Sequence, residues 1–420
     1  MKISEFGRQL TCNAGILSLM DDLGRAKVAG GERMIMMGGG NPGVVPEFQE
    51  RMRQRLRQLC EDPRKFHQLI GAYDPPQGEP GFIAAVAAML SREFGWPIGP
   101  ENVCLTNGSQ TAFFMLFNLF AGRHGDSTRK KICLPLAPEY IGYADLGLDD
   151  DFFVSKRPKI ERLADNQFKY HIDFNALKIG PDIGAICVSR PTNPTGNVIG
   201  DDELAHLDRL ARTSDIPLIV DNAYGLPFPN MVYEAATPSW NDNMVVCFSL
   251  SKLGLPAVRT GIIVAREEII RALASMNAIM SLSPVSFGPV LARELVESGE
   301  IIELSRTVIR PFYQEKLARA LEVVRREFAG VPWRVHKPEG AMFLWLWFKE
   351  MPITSLELYE RLKKVGVLVV SGHYFFPGLG ERWGHRQECI RVTYSQDDAD
   401  VARGLTRIAS EVKKAYALKG

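Results

Sequence analysis

The feature that most restricts this chain is a rhythm running through its middle. Short apolar runs rich in β-branched residues alternate with helical stretches. Val103-Cys104-Leu105-Thr106 reads as a strand and Ser109 to Phe120 as a helix. Lys131 to Leu134 and Ala185 to Val188 read as strands, the second followed by a helix over Asp202 to Arg212. Leu218 to Val220, Val245 to Phe248 and Gly261 to Val264 continue the series. Strands interleaved with helices predict a parallel sheet with crossover helices. The runs are apolar throughout rather than at alternate positions, as in strands covered on both faces.

After Pro289 the pattern changes. A long amphipathic stretch, Ile301 to Phe328, is built from good helix formers. Strand signals follow at Trp333 to His336, Phe343 to Phe348, Val367 to Val370 and Ile390 to Tyr394, with helices over Ser355 to Lys364 and Asp397 to Ala417. The expected fold is α/β: a large domain over 47–300 and a smaller α+β domain over 301–420, against which segment 1–46 packs.

Charge and composition narrow the function. Lys+Arg number 50 and Asp+Glu 49, a net charge of +1, so no bulk attraction to nucleic acid or a membrane surface is expected. The densest apolar run, Ala341 to Phe348, is strand length and far from the roughly 20 residues that span a bilayer. Glu5, Arg8 and Asn13 break any signal-peptide core. The seven Cys are scattered without a C-x-x-C pair and read as buried thiols of a reducing, cytoplasmic setting. The His residues lack zinc-ligand spacing, so no metal is expected. Arg51-x-Arg53-x-Arg55-x-Arg57 reads as a solvated face.

The chemistry gathers at strand ends. Lys252, in Ser249-Leu250-Ser251-Lys252, follows a buried strand, where desolvation frees a neutral amine able to condense with an aldehyde. Ser249, Ser251 and Arg259 supply hydroxyls and a cation suited to a phosphate. Asp221 closes another strand: it holds a proton on a ring nitrogen or caps the next turn. Asn193 stands between two prolines, its amide fixed on a rigid loop. Asn107-Gly108-Ser109-Gln110 opens a helix whose first amides form an anion site. In an open parallel sheet, ligands sit outside the carboxyl ends of the strands. An amine, a carboxylate, an amide and a phosphate cradle on one rim describe a site for pyridoxal 5′-phosphate, an electron sink. The Gly-x-Gly-x-x-Gly match at Gly38, Gly40 and Gly43 contains Pro42 and lacks a βαβ unit, so it is no dinucleotide fingerprint.

Ser249-x-Ser251-Lys252 with Arg259, Asp221-x-x-Tyr224 and Asn193-Pro194-Thr195-Gly196 resemble the class I/II, fold-type I aminotransferases, and the resemblance runs the length of the chain. It implies a mostly parallel seven-stranded sheet flanked by helices, with a smaller domain made from the N- and C-terminal segments. Lys252 would carry the cofactor and move the substrate proton, and Asp221 would pair with the ring nitrogen. Asn193 and Tyr224 would contact the phenolic oxygen, and Tyr140 would stack on the ring. Ser109, Ser249, Ser251 and Arg259 would hold the phosphate, with backbone from Gly108 and Gln110. Tyr73 would reach the phosphate of a neighbouring subunit, which implies a homodimer with shared sites. Arg391 would grip the substrate α-carboxylate, with Gly40, Asn41 and Asn193 also at the substrate.

Gly38 to Pro42, Thr106 to Phe114, Leu134 to Tyr143 and His336 to Phe348 resemble a branch acting on small aliphatic amino acids. The implied reaction is ping-pong: valine gives 2-oxoisovalerate, and pyruvate takes the amine to become alanine. Ser281 to Pro289 carries no Arg for a side-chain carboxylate, in keeping with an aliphatic substrate. Ile16 and Leu17 are candidates for the side-chain pocket, or for ordinary packing. Carbon–sulfur elimination uses the same cofactor residues. A ligand-sensing regulator would need a DNA-binding domain, which this pattern leaves little room for.

Overall fold

The computed structural model describes residues 2–11, 24 and 34–419, so Ile16 and Leu17 lie outside the described residues. From the N-terminus, β1 (Ile35–Met36) is followed by β2 (Val103–Thr106), β3 (Gly122–Arg123), β4 (Arg129–Leu134) and β5 (Phe153–Ser155). A hairpin of β6 (Lys159–Arg162) and β7 (Gln167–His171) precedes β8 (Ile183–Ser189), β9 (Leu218–Asp221), β10 (Met244–Ser249) and β11 (Gly261–Val264). The C-terminal part supplies β12 (Trp333–His336), β13 (Phe343–Phe348), β14 (Val367–Leu368), β15 (Val370–Ser371) and β16 (Cys389–Thr393).

The larger sheet runs β2-β11-β10-β9-β8-β4. β3 and β5 lie end to end along the free edge of β4, β3 against Arg129–Lys130 and β5 against Ile132–Leu134. The sheet therefore has seven positions, as expected, filled by eight strands. Pairings are parallel except those of β11 and β3. β8 and β10 are buried at every position, which their unbroken apolar sequences require.

The smaller sheet runs β15-β16-β13-β12-β7-β6. Its expected source was the two chain ends, but the middle of the chain contributes β6 and β7, with β7 parallel to β12. β6 is the edge strand, and its Lys, Glu and Arg suit an edge open to water rather than a buried run. The N-terminal segment is tied to the C-terminal part at Ile35 to Met37: β1 pairs in parallel with β14, and Met37 O accepts from Thr393 N at 2.8 Å.

The long amphipathic stretch is helical over Glu300–Leu304 and Arg310–Glu327, joined by a π-turn at Ser305–Ile309. Pro311 lacks an N–H and would crowd the carbonyl four residues back, and the widened turn relieves both. The arginine run meets the expectation of a solvated face at Arg53 and Arg57, which are exposed, and departs from it at Arg51 and Arg55. It lies on the helix Pro46–Glu61, and i,i+4 spacing turns Arg51 and Arg55 inward. Arg51 donates to Glu300 at 2.7 Å, and Arg55 is buried against Glu294.

Candidate active site

Sheet register brings the functional stretches side by side. Ser189 lies opposite Asp221, Ser249 opposite Gly261, and Gly261 opposite Thr106. β11 is antiparallel, so its first residue joins the carboxyl ends of its neighbours on this rim. A cavity of ≈ 290 Å³ opens there, walled by Ser109, Gln110, Tyr140, Asn193, Asp221, Tyr224, Ser251, Lys252, Arg259 and Arg391. Gly40 and Asn41 close it from the N-terminal segment. Among the described residues, no group of three His, Cys, Asp or Glu side chains could hold a metal ion.

The anion cradle depends on two glycines. Gly108 has φ +88°, and a Cβ there would come within 2.2 Å of an Arg259 guanidinium nitrogen. A Cβ on Gly261 would lie 2.8 Å from the Ser109 N. Bare backbone therefore lets Arg259, Ser109 and the first turn of helix Ser109–Phe120 converge. Asn107 Oδ1 accepts from Val285 N at 2.8 Å and pins the 281–285 loop beside this cradle.

Lys252 donates from Nζ to Gly40 O at 2.6 Å, and Nζ lies 5.4 Å from the centre of the Tyr224 ring. The amine has an open side only because it fronts the cavity. Burial, then the Arg391 cation, pull its pKa down to about 8; Asp221 opposes the shift and Arg259 adds to it. Asp221 is pushed above the ordinary carboxylate range by burial, opposed by bonds from Tyr143 and Ala223 and by the Lys252 charge. Its Oδ1 accepts from Ala223 N at 3.0 Å and its Oδ2 from the Tyr143 hydroxyl at 2.6 Å.

Arg391, on β16, is 3% exposed. It donates to Asn193 Oδ1 at 2.7 Å and to Gly38 O at 2.6 Å, while its Nε has no partner. The guanidinium lies 4.3 Å from the Phe343 ring centre. Desolvation lowers its pKa to about 10. A buried cation with neutral oxygen partners and spare donors is prepared for an incoming carboxylate.

The Asn193 loop is held by more than its prolines. Arg190, itself buried, donates to Ile199 O at 2.9 Å and Thr237 O at 3.0 Å. Gly196, at φ +71°, packs so closely on Gly340 O that a Cβ would approach to 2.5 Å. Tyr140 is positioned by a similar close approach, because a Cβ on Gly142 would meet its ring at 2.3 Å.

One expected phosphate contact lies elsewhere. The Ser249 hydroxyl is buried off the cavity wall, accepting from Ser251 N at 3.1 Å and donating to Thr260 O at 3.5 Å. It shapes the loop that presents Ser251 and Lys252. Tyr73, expected at a neighbouring subunit's phosphate rather than at this one, is 82% exposed and stands outside the cavity. Residues 281–289 do not line it either. Sequence reasoning missed Tyr143 and Ser189. Nothing marks Tyr143 within an apolar stretch, and only the β8–β9 pairing shows that Ser189 flanks Asp221.

A family model for aminotransferase class I and II matches residues 44–408. Valine–pyruvate aminotransferase of Escherichia coli (strain K12) is 50% identical over 99% of both chains. The crystal structure of valine–pyruvate aminotransferase from Salmonella typhimurium LT2 is 49% identical, covering 96% of this chain and 99% of its own, with a TM-score of 0.88. A solved structure from Psychrobacter arcticum 273-4 superposes with a TM-score of 0.97 at 44% identity over 99% of both chains.

Proposed function

The chain belongs to the class I and II aminotransferases, enzymes that depend on pyridoxal phosphate, and on that premise we propose that it moves an amino group between a small aliphatic amino acid, valine first, and pyruvate. One observation carries the substrate reading. The cavity lining has three cations: Arg259 beside the anion cradle, Arg391 with spare donors for an α-carboxylate, and Lys252 as the amine. None of the described lining residues remains to neutralise a side-chain carboxylate, while Phe113, Ile141, Pro191 and Ala223 offer apolar surface. A half-identical relative that carries valine and pyruvate in its name supports the same pair.

The residues fit the cofactor. The phosphate would lie on the Ser109 and Ser251 hydroxyls, the Arg259 guanidinium and the helix amides beside Gly108 and Gln110, in a cradle that any Cβ at 108 would fill. Bound there, the cofactor supplies an electron sink for the substrate Cα. Asp221, its Oδ2 held by Tyr143, keeps a proton on the ring nitrogen. Asn193 gives its Oδ1 to Arg391, so its amide N–H group is left for the phenolic oxygen, with the Tyr224 hydroxyl as second donor. Arg391 orients the α-carboxylate, and Lys252 Nζ removes and returns the Cα proton. Gly40 and Asn41 exclude water from above. In this reading 47–300 carries the cofactor, and 301–420, with segment 1–46, closes over it.

A second copy of the chain would complete the site. Ile279 (87% exposed) and Leu282 (64%) lie with Met280 and Val285 on an apolar surface, and Val285 N is bonded to the cradle residue Asn107. An apolar surface of this kind beside a phosphate cradle supports a homodimer, with Tyr73 contributed across the interface.

An amino-donor panel with pyruvate as acceptor tests the assignment. Valine is expected to form alanine at a rate well above aspartate, and Lys252→Ala to abolish both turnover and the cofactor's bound absorption band. Preferred use of aspartate, or ammonia release from a thioether without keto-acid acceptor, would overturn it.

A further inference from the structure

Behind the cavity lies a second buried carboxyl that the reaction above does not use. Glu139 has no exposed surface, and its backbone N–H donates to Phe375 O at 2.8 Å. Its Oε1 accepts from Ser189 N at 2.9 Å, and its Oε2 lies 2.7 Å from Ser189 Oγ and 3.2 Å from Tyr140 N. Ser189 Oγ lies 3.3 Å from the Tyr143 hydroxyl oxygen, and Tyr143 donates to Asp221 Oδ2 at 2.6 Å. Four side chains thus form one line from the protein interior to Asp221.

Counting protons along the line decides its state. Tyr143 has one proton, and Asp221 takes it. Were Glu139 a carboxylate, Ser189 would direct its only proton to Glu139, leaving the Ser189–Tyr143 contact with two oxygens and no hydrogen. With a proton on Glu139 Oε2, every link is filled and points the same way: Glu139 donates to Ser189, Ser189 to Tyr143, and Tyr143 to Asp221. Oε1 then serves as the carbonyl oxygen accepting from Ser189 N. We propose that Glu139 stands behind the cofactor site as a neutral carboxylic acid and, through Ser189 and Tyr143, is a positioning residue that keeps Asp221 ionised and aimed at the ring nitrogen.

The surroundings agree. Burial pushes the Glu139 carboxyl up to about 8, against the opposing bonds from Ser189, and Asp221 adds to the rise. Tyr140, Tyr143, Cys187, Tyr224, Cys247 and Lys252 are the other titratable groups that bear on this line. Two carboxylates in one buried network repel, so a single proton between them is favoured. Asp221 is the one to lose it, because Ala223 N, the Tyr143 hydroxyl and the Lys252 charge all favour its ionised form.

The inference rests on the pairing of Asp221 with the cofactor ring proposed above. Infrared difference spectra of the holoenzyme, wild type minus Glu139→Gln, test it directly. A protonated-carboxyl stretch is expected at pH 7, shifted in D2O and fading as pH rises past about 8. Glu139→Gln keeps a neutral donor to Ser189 Oγ and an acceptor for Ser189 N and gives up only the 3.2 Å contact from Tyr140 N, so its dissociation constant for pyridoxal phosphate should stay within about threefold of wild type, while Glu139→Leu weakens it about tenfold. Ser189→Ala cuts the same line one link on and should weaken cofactor binding like Glu139→Leu, even if the leucine variant misfolds. Absence of the band, or a glutamine variant as impaired as the leucine one or unable to fold, overturns the proposal. The band does not depend on which amino acids react, so its loss leaves the transamination reading standing, and failure of transamination leaves the band.

Discussion

Lys252 and Arg391 show how burial prepares a group for one partner. The Lys252 amine titrates at about 8 instead of 10.5, because burial and the Arg391 cation disfavour its charged form. Its neutral fraction therefore grows with pH through that midpoint. Stopped-flow capture of pyridoxal phosphate by cofactor-free protein should accelerate from pH 6 and level off above about pH 8 to 9; a rate still climbing towards pH 10 would contradict the assignment. Arg391→Lys loses the planar fork and leaves Asn193 Oδ1 and Gly38 O to a single ammonium. We expect roughly a 10- to 100-fold fall in kcat/KM for both amino acid and keto acid, read by steady-state kinetics, with cofactor affinity retained. Lys252, Asp221 and Asn193 were legible in the sequence because a charge or amide within a few residues of the end of an apolar run has few structural uses. Tyr143 and Ser189 were not. Their significance arises from which strand lies next to which, and periodicity does not encode that order.

Among the elements, the turn between β2 and the helix Ser109–Phe120 is the most sharply constrained. Gly108→Ala must place a Cβ at φ +88° with ψ 160°, an essentially glycine-only conformation costing about 1–3 kcal/mol, and must also displace Arg259. Fluorescence titration should show cofactor affinity down by about tenfold or more, with the far-UV circular dichroism unchanged. The strands and helices around this turn were readable almost to the residue, since β8 and β10 are apolar up to a terminal serine and buried throughout, and the crossover helix Asp201–Thr213 opens with three acidic residues in its first turn. The hairpin β6–β7 escaped notice for the opposite reason. Lys159, Glu161 and Arg162 give β6 no apolar run, and only its pairing with Lys169, Tyr170 and their neighbours makes it a strand. The π-turn at Ser305–Ile309 was foreshadowed by Pro311 alone.

At the level of the whole molecule, the proposed dimer makes a demand that a monomeric enzyme would not. Lys252→Ala and Tyr73→Ala chains should each be weakly active or inactive alone. Mixed and allowed to exchange subunits, they should recover activity, because a hybrid holds one site with Lys252 from one chain and Tyr73 from the other; no gain on mixing would mean each chain works alone. Leu282→Glu should lower both the sedimentation coefficient and the activity. The change of pattern after Pro289 pointed to a second sheet, but not to its borrowing two strands from the middle of the chain. That join is a long-range pairing between residues 167–168 and 335–336.

The bond between Arg391 and Asn193 has a consequence of its own. In the proposed reading one carboxamide would answer to two visitors: its oxygen to the cation that receives the substrate's acid group, its nitrogen to the coenzyme's ring oxygen. Arrival at the first is therefore registered at the second, and by reciprocity the tint of the coenzyme and the grip on a carboxylic acid rise or fall together, even for an acid with no amine to give.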